Sequence, residues 1–258
     1  MALEYGTSGL IGVLTPQANT TVEPEMWVLA PPHMSLINAR LTSDKDSIEA
    51  RLVDYTTKFG TTAARFANAP VTSIAAACTG ASYLIGAKAE ARIVDQIEQA
   101  RAVPFLTAAL ASVAALRQMR AERIALLSPY PGSLNEKSTA YWQGYGFNVV
   151  AKAGPTLETA AFHPIYAMTG GGVLQAYRDL SATGADAVLM LGTGMATLRP
   201  ILAGRAEGLI PAVSCNLALM WAAHQARRWD ALEAAAIDSW LRGDHWAPRL
   251  KALFPAET

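Results

Sequence analysis

Two cysteines occur in this 258-residue chain, and one of them, Cys78, stands where a thiol could do chemistry. It ends the apolar run VTSIAAAC (71–78) and opens the small-residue turn Thr79-Gly80-Ala81-Ser82. A strand that runs into a helix through such a turn sets the thiol among unpaired backbone N–H groups. These lower its pKa and suit it to act as a nucleophile or a proton carrier. The competing reading is a small buried hydrophobe, the commoner fate of a free cysteine after an apolar strand. Cys215, in SCNLALMWAA, reads as a helix start followed by core residues, and is a weaker candidate for the same site.

Other strand-like runs end in comparable residues. Thr15, Pro16, Gln17, Asn19 and Thr20 close GLIGVLTP (9–16) and its exit, and Thr107 closes VPFLT (103–107). Ser128, Pro129 and Tyr130 close RIALLSP (123–129), Gly192, Thr193 and Gly194 follow ADAVLML (185–191), and Ser214 and Cys215 follow IPAVS (210–214). This set is rich in hydroxyls and small residues, has two amides, Gln17 and Asn19, and contains no Lys, Arg, Asp or Glu. A carboxylate ligand is therefore expected to be held by hydroxyls and by backbone N–H groups at helix starts, which glycine and alanine leave open to close approach.

The elements that must position these residues follow from the hydrophobic pattern. Strand-like runs at 9–16, 34–41, 71–78, 103–107, 123–129, 146–152, 185–191 and 210–214 alternate with helix-length segments, such as 45–68. The runs are continuously apolar rather than alternating, which indicates parallel sheets covered by helices on both faces. There is also an internal echo. IGVLTP at 11 resembles IALLSP at 124, AACTGAS at 76 resembles MLGTGMA at 190, and VPFLTAALA at 103 resembles IPAVSCNLA at 210. The three pairs occur in the same order, so the expectation is an α/β protein of two pseudo-symmetric lobes, each a parallel sheet covered by helices. Lobe one covers 8–119 plus a C-terminal helical tail 230–258, and lobe two covers 120–229. Ligands of such sheets bind beyond the carboxyl ends of the strands, which places a cleft between the lobes. The echo pairs Cys78 with Gly192.

Composition excludes several alternatives. The chain is 52% hydrophobic and 16% charged, with 21 Lys+Arg against 21 Asp+Glu, so a basic face for nucleic acid or an anionic membrane is not expected. No apolar run approaches the roughly 18 residues of a membrane span. MALEYGTSGLIGVLTP lacks a basic start, so it is not read as a secretory leader, and two cysteines build no disulfide framework; a cytoplasmic setting is the default expectation. No metal-ligand spacing is present. GTGMAT lacks the third glycine of a dinucleotide fingerprint, with Thr197 in its place. His163, before Pro164, reads as a surface or packing residue, and Glu23 and Glu25 as carboxylates favourable to the dipole of an early helix.

At this point the residues resemble a known family. IGVLTPQANTTVEPEM resembles the opening of maleate cis–trans isomerases, with its P-x-x-N-x-x-x-E pattern. AACTGAS resembles their first catalytic-cysteine loop, and LLSPYPGSLNEK their S/T-P-Y segment. Over 9–228 the chain is similar to the maleate isomerase and arylmalonate decarboxylase group of the aspartate/glutamate racemase superfamily. The resemblance implies cofactor-free chemistry at a carbon next to a carboxylate, on a small carboxylate or dicarboxylate substrate, with one thiol from each lobe in the racemases and isomerases. The first thiol falls on Cys78. The second falls on Gly192, where there is none. The carboxylate grip carries over to Asn19, Thr79, Tyr130 and the backbone of 79–80 and 193–194. A further asparagine of the maleate enzymes would fall near Phe162 and is absent.

The departure discriminates between reactions. Racemisation needs an acid/base on each face of a planar carbanion, whereas decarboxylation needs one proton donor after carbon dioxide leaves. The leading expectation is a decarboxylase of substituted aryl- or alkylmalonates, with Cys78 and Tyr130 catalytic. Pro16, Gln17, Asn19, Thr79, Gly80, Ser128, Gly192, Thr193, Gly194 and Cys215 are the expected substrate-binding residues. A maleate-type isomerase with Cys78 as nucleophile is the alternative, and a non-catalytic small-acid binder is a third. Segments 26–45 and 155–170 are expected to shape the side-group pocket, and apolar segments of such folds commonly pair copies into homo-oligomers.

Overall fold

The computed structural model describes residues 3–130, 132–154, 165, 168, 170–232 and 237–255. Its first sheet comprises β1 (Gly9–Pro16), β2 (Met34–Leu41), β3 (Ser73–Ala76) and β4 (Phe105–Thr107), and its second β5 (Arg123–Leu127), β6 (Asn148–Ala153), β7 (Ala187–Met190) and β8 (Ala212–Ser214). Every pairing is parallel, and the strand orders are β2-β1-β3-β4 and β6-β5-β7-β8. The second order is the first with each strand advanced by four, so the echo is a repeated topology. The central strands β1, β3, β5 and β7 are buried almost throughout, as expected of sheets covered on both faces.

Helices α1 (Val22–Leu29), α2 (Ile48–Ala63), α3 (Thr79–Arg101) and α4 (Ala108–Gln118) belong to the first half of the chain. The second half carries α5 (Gly132–Gly144), α6 (Gly170–Ser181), α7 (Leu198–Ala206) and α8 (Cys215–Ala223). Helices α4 and α8 pack on each other between the two sheets. Both are alanine-rich, which permits close approach, and all nine residues of α8 are buried. Their starts repeat the echo in detail. Thr107 Oγ1 accepts from the Leu110 N–H at 3.1 Å, and Ser214 Oγ from the Leu217 N–H at 3.2 Å, so each strand-end hydroxyl caps the helix it launches. The tail helices α9 (Ile237–Arg242) and α10 (Ala247–Leu253) pack on α7 and α8 and on α1 respectively, so the tail touches both halves.

Two buried carboxyls tie the lobes together. Glu25, on α1, does not serve its own helix. It accepts from the Thr197 N–H at 2.7 Å and the Leu198 N–H at 3.3 Å, capping α7 of the other lobe, and from Asn216 Nδ2 at 2.7 Å. Its neighbour Glu23 pairs instead with Arg40 at the surface. Glu90, on α3, accepts from the hydroxyls of Ser82 at 2.6 Å, Thr107 at 2.5 Å and Tyr141 at 2.6 Å, the last from α5. It reaches back to Ser82 because α3 breaks at Gly86, whose φ of +76° lies in the left-handed region open to glycine.

Burial raises the pKa of Glu90 above its ordinary 4.5, more than its three hydroxyl donors lower it. The folded chain therefore keeps a proton that the unfolded chain releases. Glu90 favours the fold most below about pH 4.5 and contributes less as pH rises through its raised value. Glu90→Gln removes this titration. Urea midpoints measured from about pH 4 to 7 are expected to show the variant gaining on the wild type as pH rises; a constant difference would contradict the assignment.

Candidate functional site

The carboxyl ends of the central strands converge on a compact cavity of about 70 Å³ between the lobes. Pro16, Asn19, Cys78, Thr79, Gly80, Tyr130, Thr193 and Gly194 line it, together with Ile48, Arg51, Leu52, Tyr55 and Ile165. A larger cavity of about 370 Å³ opens between α1, α7 and the C-terminal residues Leu250 and Phe254. Among the described residues it has no thiol and one carboxylate, Glu25, which is committed to capping α7. The smaller cavity is the one with the means to do chemistry.

A polar relay holds its two halves in register. Asn19 Oδ1 accepts from the Thr21 and Val22 N–H groups, both at 2.9 Å, which starts α1 and fixes the orientation of the amide. Asn19 Nδ2 then donates to Thr193 Oγ1 at 3.2 Å, and that hydroxyl donates to the Ala77 carbonyl at 2.7 Å, beside Cys78. Thr21 Oγ1 adds a bond to the Gly194 carbonyl at 2.8 Å, and Asn216 Nδ2 one to the Thr193 carbonyl at 3.1 Å. The relay uses one of the two amide hydrogens of Asn19 and leaves its direction set for a ligand.

Cys78 is the N-cap residue of α3, with extended backbone at φ −145°, and is 4% exposed. The expected depression of its pKa is not what the site produces. Burial pushes the thiol up to about 12, and the Ala81 N–H, which faces the sulfur at the helix start, offsets only part of this. Cys78 is thus held as a neutral S–H, an acid rather than a standing thiolate. Beside it, Thr79 Oγ1 is buried and makes no hydrogen bond to oxygen or nitrogen among the described residues. The Tyr130 hydroxyl lies where a side chain on Gly80 or Gly192 would begin, 3.5 and 3.3 Å from the respective Cβ positions. It therefore bridges the paired turns of the two lobes.

The other candidates lie behind this surface. Gln17 turns outward, its side-chain oxygen accepting from the Ser43 N–H at 2.6 Å, while its own N–H binds the Tyr55 hydroxyl. Ser128 Oγ accepts from the Tyr130 N–H at 3.3 Å, so it supports the tyrosine. Cys215 is fully buried beneath the floor, its thiol against Thr79, Ser112 and the backbone at Gly192. Burial outweighs these contacts and raises its pKa, and it does not line the cavity. His163 and Phe162 lie outside the described residues.

Two features differ from the sequence expectation. The lining includes a charge, Arg51, and one wall of the cavity is built by α2. Ile48, Arg51, Leu52 and Tyr55 fall at i, i+3, i+4 and i+7, one face of a helix that starts with Ser47 Oγ accepting from the Ala50 N–H. That spacing, with a cation among apolar neighbours, was the available signal. Of 155–170, most of which lies outside the described residues, Ile165 lines the cavity.

The echo also breaks where the second thiol would be. In lobe one, Cys78 leads directly into α3; in lobe two, Gly192 has φ +82° and the helix begins only at Leu198. A Cβ on Gly192 would meet Ile165 Cδ1 at 2.8 Å and Pro129 Cγ at 3.0 Å. The position is strained for any L side chain. Gly192→Ala is expected to cost about 1–2 kcal/mol, read from denaturant midpoints; a stabilised or neutral variant would show that this turn can accept a side chain.

The sequence model of the arylmalonate decarboxylase family matches residues 11–237. A maleate isomerase of Nocardia farcinica (strain IFM 10152) is 28% identical over 189 residues, covering 70% of this chain and 74% of that protein. Among solved structures, the maleate isomerase Iso from Pseudomonas putida S16 shares the fold with a TM-score of 0.76 at 22% identity, over 84% of this chain and 92% of that one. Unliganded arylmalonate decarboxylase does so with a TM-score of 0.69 at 20% identity, over 84% and 92%.

Proposed function

The chain belongs to the arylmalonate decarboxylase family, and on that premise we propose that it decarboxylates substituted malonates without a cofactor, with Cys78 as the proton donor. Its relatives are enzymes, lyases or isomerases, that act on small carboxylates. The observation that carries the finer reading is the state and number of thiols at the cavity. One thiol is present, it is held neutral, and its counterpart position is a glycine.

In the proposed reaction one carboxylate of the malonate rests against Thr79 Oγ1, the Tyr130 hydroxyl, the Asn19 amide and the N–H groups that start α3. The bond from the α-carbon to the other carboxylate breaks, carbon dioxide leaves, and the electron pair delocalises into an enediolate. Negative charge grows on the retained carboxylate oxygens, so donors aimed there bind the transition state more tightly than the substrate. The Cys78 S–H then gives its proton to the α-carbon. The thiolate is a strong base in this buried setting and recovers a proton from water.

The Nocardia relative favours a second reading, cis–trans isomerisation of a maleate-type acid with Cys78 adding to the alkene. That step needs a thiolate, which burial disfavours here, and a second acid to protonate the neighbouring carbon.

Methylmalonate and phenylmalonate span small and large side groups. Carbon dioxide release from at least one of them is expected, with kcat reduced at least about 100-fold in Cys78→Ala. In deuterium oxide the product is expected to carry deuterium on one face only. No turnover of any malonate, together with a maleate-dependent mass increase on Cys78, would replace this reading with the isomerase one.

A further inference from the structure

A thiol that gives its proton to carbon must regain one before the next turnover, and the cavity holds a hydroxyl that the proposed chemistry has not used. Tyr55 is 3% exposed, lines the same cavity as Cys78, and belongs with it to one packed group of buried residues that includes Leu14, Leu41 and Ala76. It comes there because α2 packs along α3, the helix that Cys78 caps. The Tyr55 hydroxyl oxygen accepts from the Gln17 N–H, and a charge on the Cys78 sulfur is felt at that hydroxyl. A phenol that accepts one hydrogen bond still has its own hydrogen to give. Of the other hydroxyls on the lining, Thr193 gives its hydrogen to the Ala77 carbonyl, and Thr79 and Tyr130 serve the retained carboxylate in the proposed reaction.

We propose that Tyr55 is the relay that returns a proton to Cys78 between turnovers, an assignment that rests on the decarboxylase reading. Once the thiol has protonated the α-carbon, the electron pair of its S–H bond stays on sulfur. The Tyr55 O–H bond then breaks, a new S–H bond forms, and the oxygen keeps the pair as tyrosinate. The tyrosinate takes a proton from water as product leaves. The hydroxide left behind combines with the carbon dioxide as bicarbonate, and the protein is back in its starting state.

Two features favour this route over direct protonation of the sulfur by water. The cavity is about 70 Å³, so bound product stands between Cys78 and the solvent. The transfer is also nearly even. Burial first, and the charge of Cys78 second, push the Tyr55 phenol up to about 12, and burial holds the Cys78 thiol at about 12 as well. Bulk water, at about 15.7, is a far weaker acid than either. Transfer between groups of matched pKa has no uphill step. Of the charges on α2, Arg51 favours the tyrosinate and Asp54 opposes it.

Tyr55→Phe keeps the ring and removes the hydroxyl. With a malonate that wild type turns over, the variant is expected to release one carbon dioxide per Cys78 at close to the wild-type rate. It should then continue at least about 10-fold more slowly, a burst that wild type lacks. A steady-state rate equal to that of wild type would overturn the proposal. So would a first turnover slowed as much as the later ones, because a hydroxyl that merely shaped the pocket would slow both alike. A second arm needs no turnover. Iodoacetamide reacts with the thiolate, and a hydroxyl donating to sulfur raises the thiolate fraction. At one fixed pH, alkylation of Cys78 followed by mass is expected to be about 10-fold slower in Tyr55→Phe, the effect of one pKa unit. Cys215, which is fully buried, is expected to stay unmodified in both proteins. Slower alkylation of Cys78 supports the Tyr55 donor even where no malonate turns over, a result that would count against the decarboxylase reading alone. Equal or faster alkylation overturns the proposal.

Discussion

The hydrogen-bond relay from Asn19 through Thr193 to the Ala77 carbonyl is the constraint on which the site depends. It does three things with two side chains. It starts α1, it joins the lobes, and it fixes the carbonyl immediately before Cys78. Because Asn19 Oδ1 is occupied by two N–H groups, its amide cannot flip without losing both. The direction of the remaining donor is therefore set before any ligand arrives, and this is the condition under which a donor helps a transition state rather than merely a complex.

Glu25 and Glu90 extend the same logic away from the cavity. Each is a lobe-one carboxyl that accepts across the seam: from the start of α7 and Asn216 for the first, and from Tyr141, beside the lobe-one hydroxyls of Ser82 and Thr107, for the second. A single apolar seam would let the lobes slide, since hydrophobic contact is not directional. Buried carboxyls with fixed donor sets penalise sliding, because any shift strands an acceptor in a low-dielectric interior. The packing of α4 on α8 supplies contact area, and the carboxyls supply register.

Much of this was legible in the chain. Strand ends could be read because a parallel sheet covered on both faces leaves continuous apolar runs, and the residues just past each run are the ones that line the cleft; Asn19, Cys78, Tyr130 and Thr193 are found that way. The paired caps Thr107 and Ser214 were visible as the third echo. What could not be read were the contacts that depend on how one lobe sits on the other. Glu25 looked like a dipole partner for its own helix, because local sequence carries no trace of α7 arriving opposite it. Arg51 was hidden by helical periodicity: it lies within a long amphipathic segment, and which of its faces meets the cleft is decided by the packing of α2 on β1 and β2. The helix-start argument gave the wrong sign for the Cys78 pKa for a related reason. It counted the N–H groups, which are local, and not the desolvation, which is a property of the assembled cleft.

The broken symmetry at Cys78 and Gly192 bears directly on chemistry. Two lobes with the same strand order would be expected to offer the same group to each face of a substrate, which suits a reaction that moves a proton from one face to the other. Here one face meets an S–H and the other a glycine turn in a left-handed conformation, crowded by Ile165 and Pro129. At the position the echo pairs with Cys78 the chain has a glycine at positive φ, and the helix that follows starts only at Leu198. Cys215 does not restore the second thiol: its buried sulfur meets Thr79, Ser112 and the backbone at Gly192, and it is not among the described residues that line the cavity. An enzyme with a proton on one side only cannot interconvert mirror images efficiently, but it can deliver that proton to one face of a carbanion generated by loss of a neutral fragment. The asymmetry that would defeat a racemase is, on the proposed decarboxylase reading, what would give a product of single handedness.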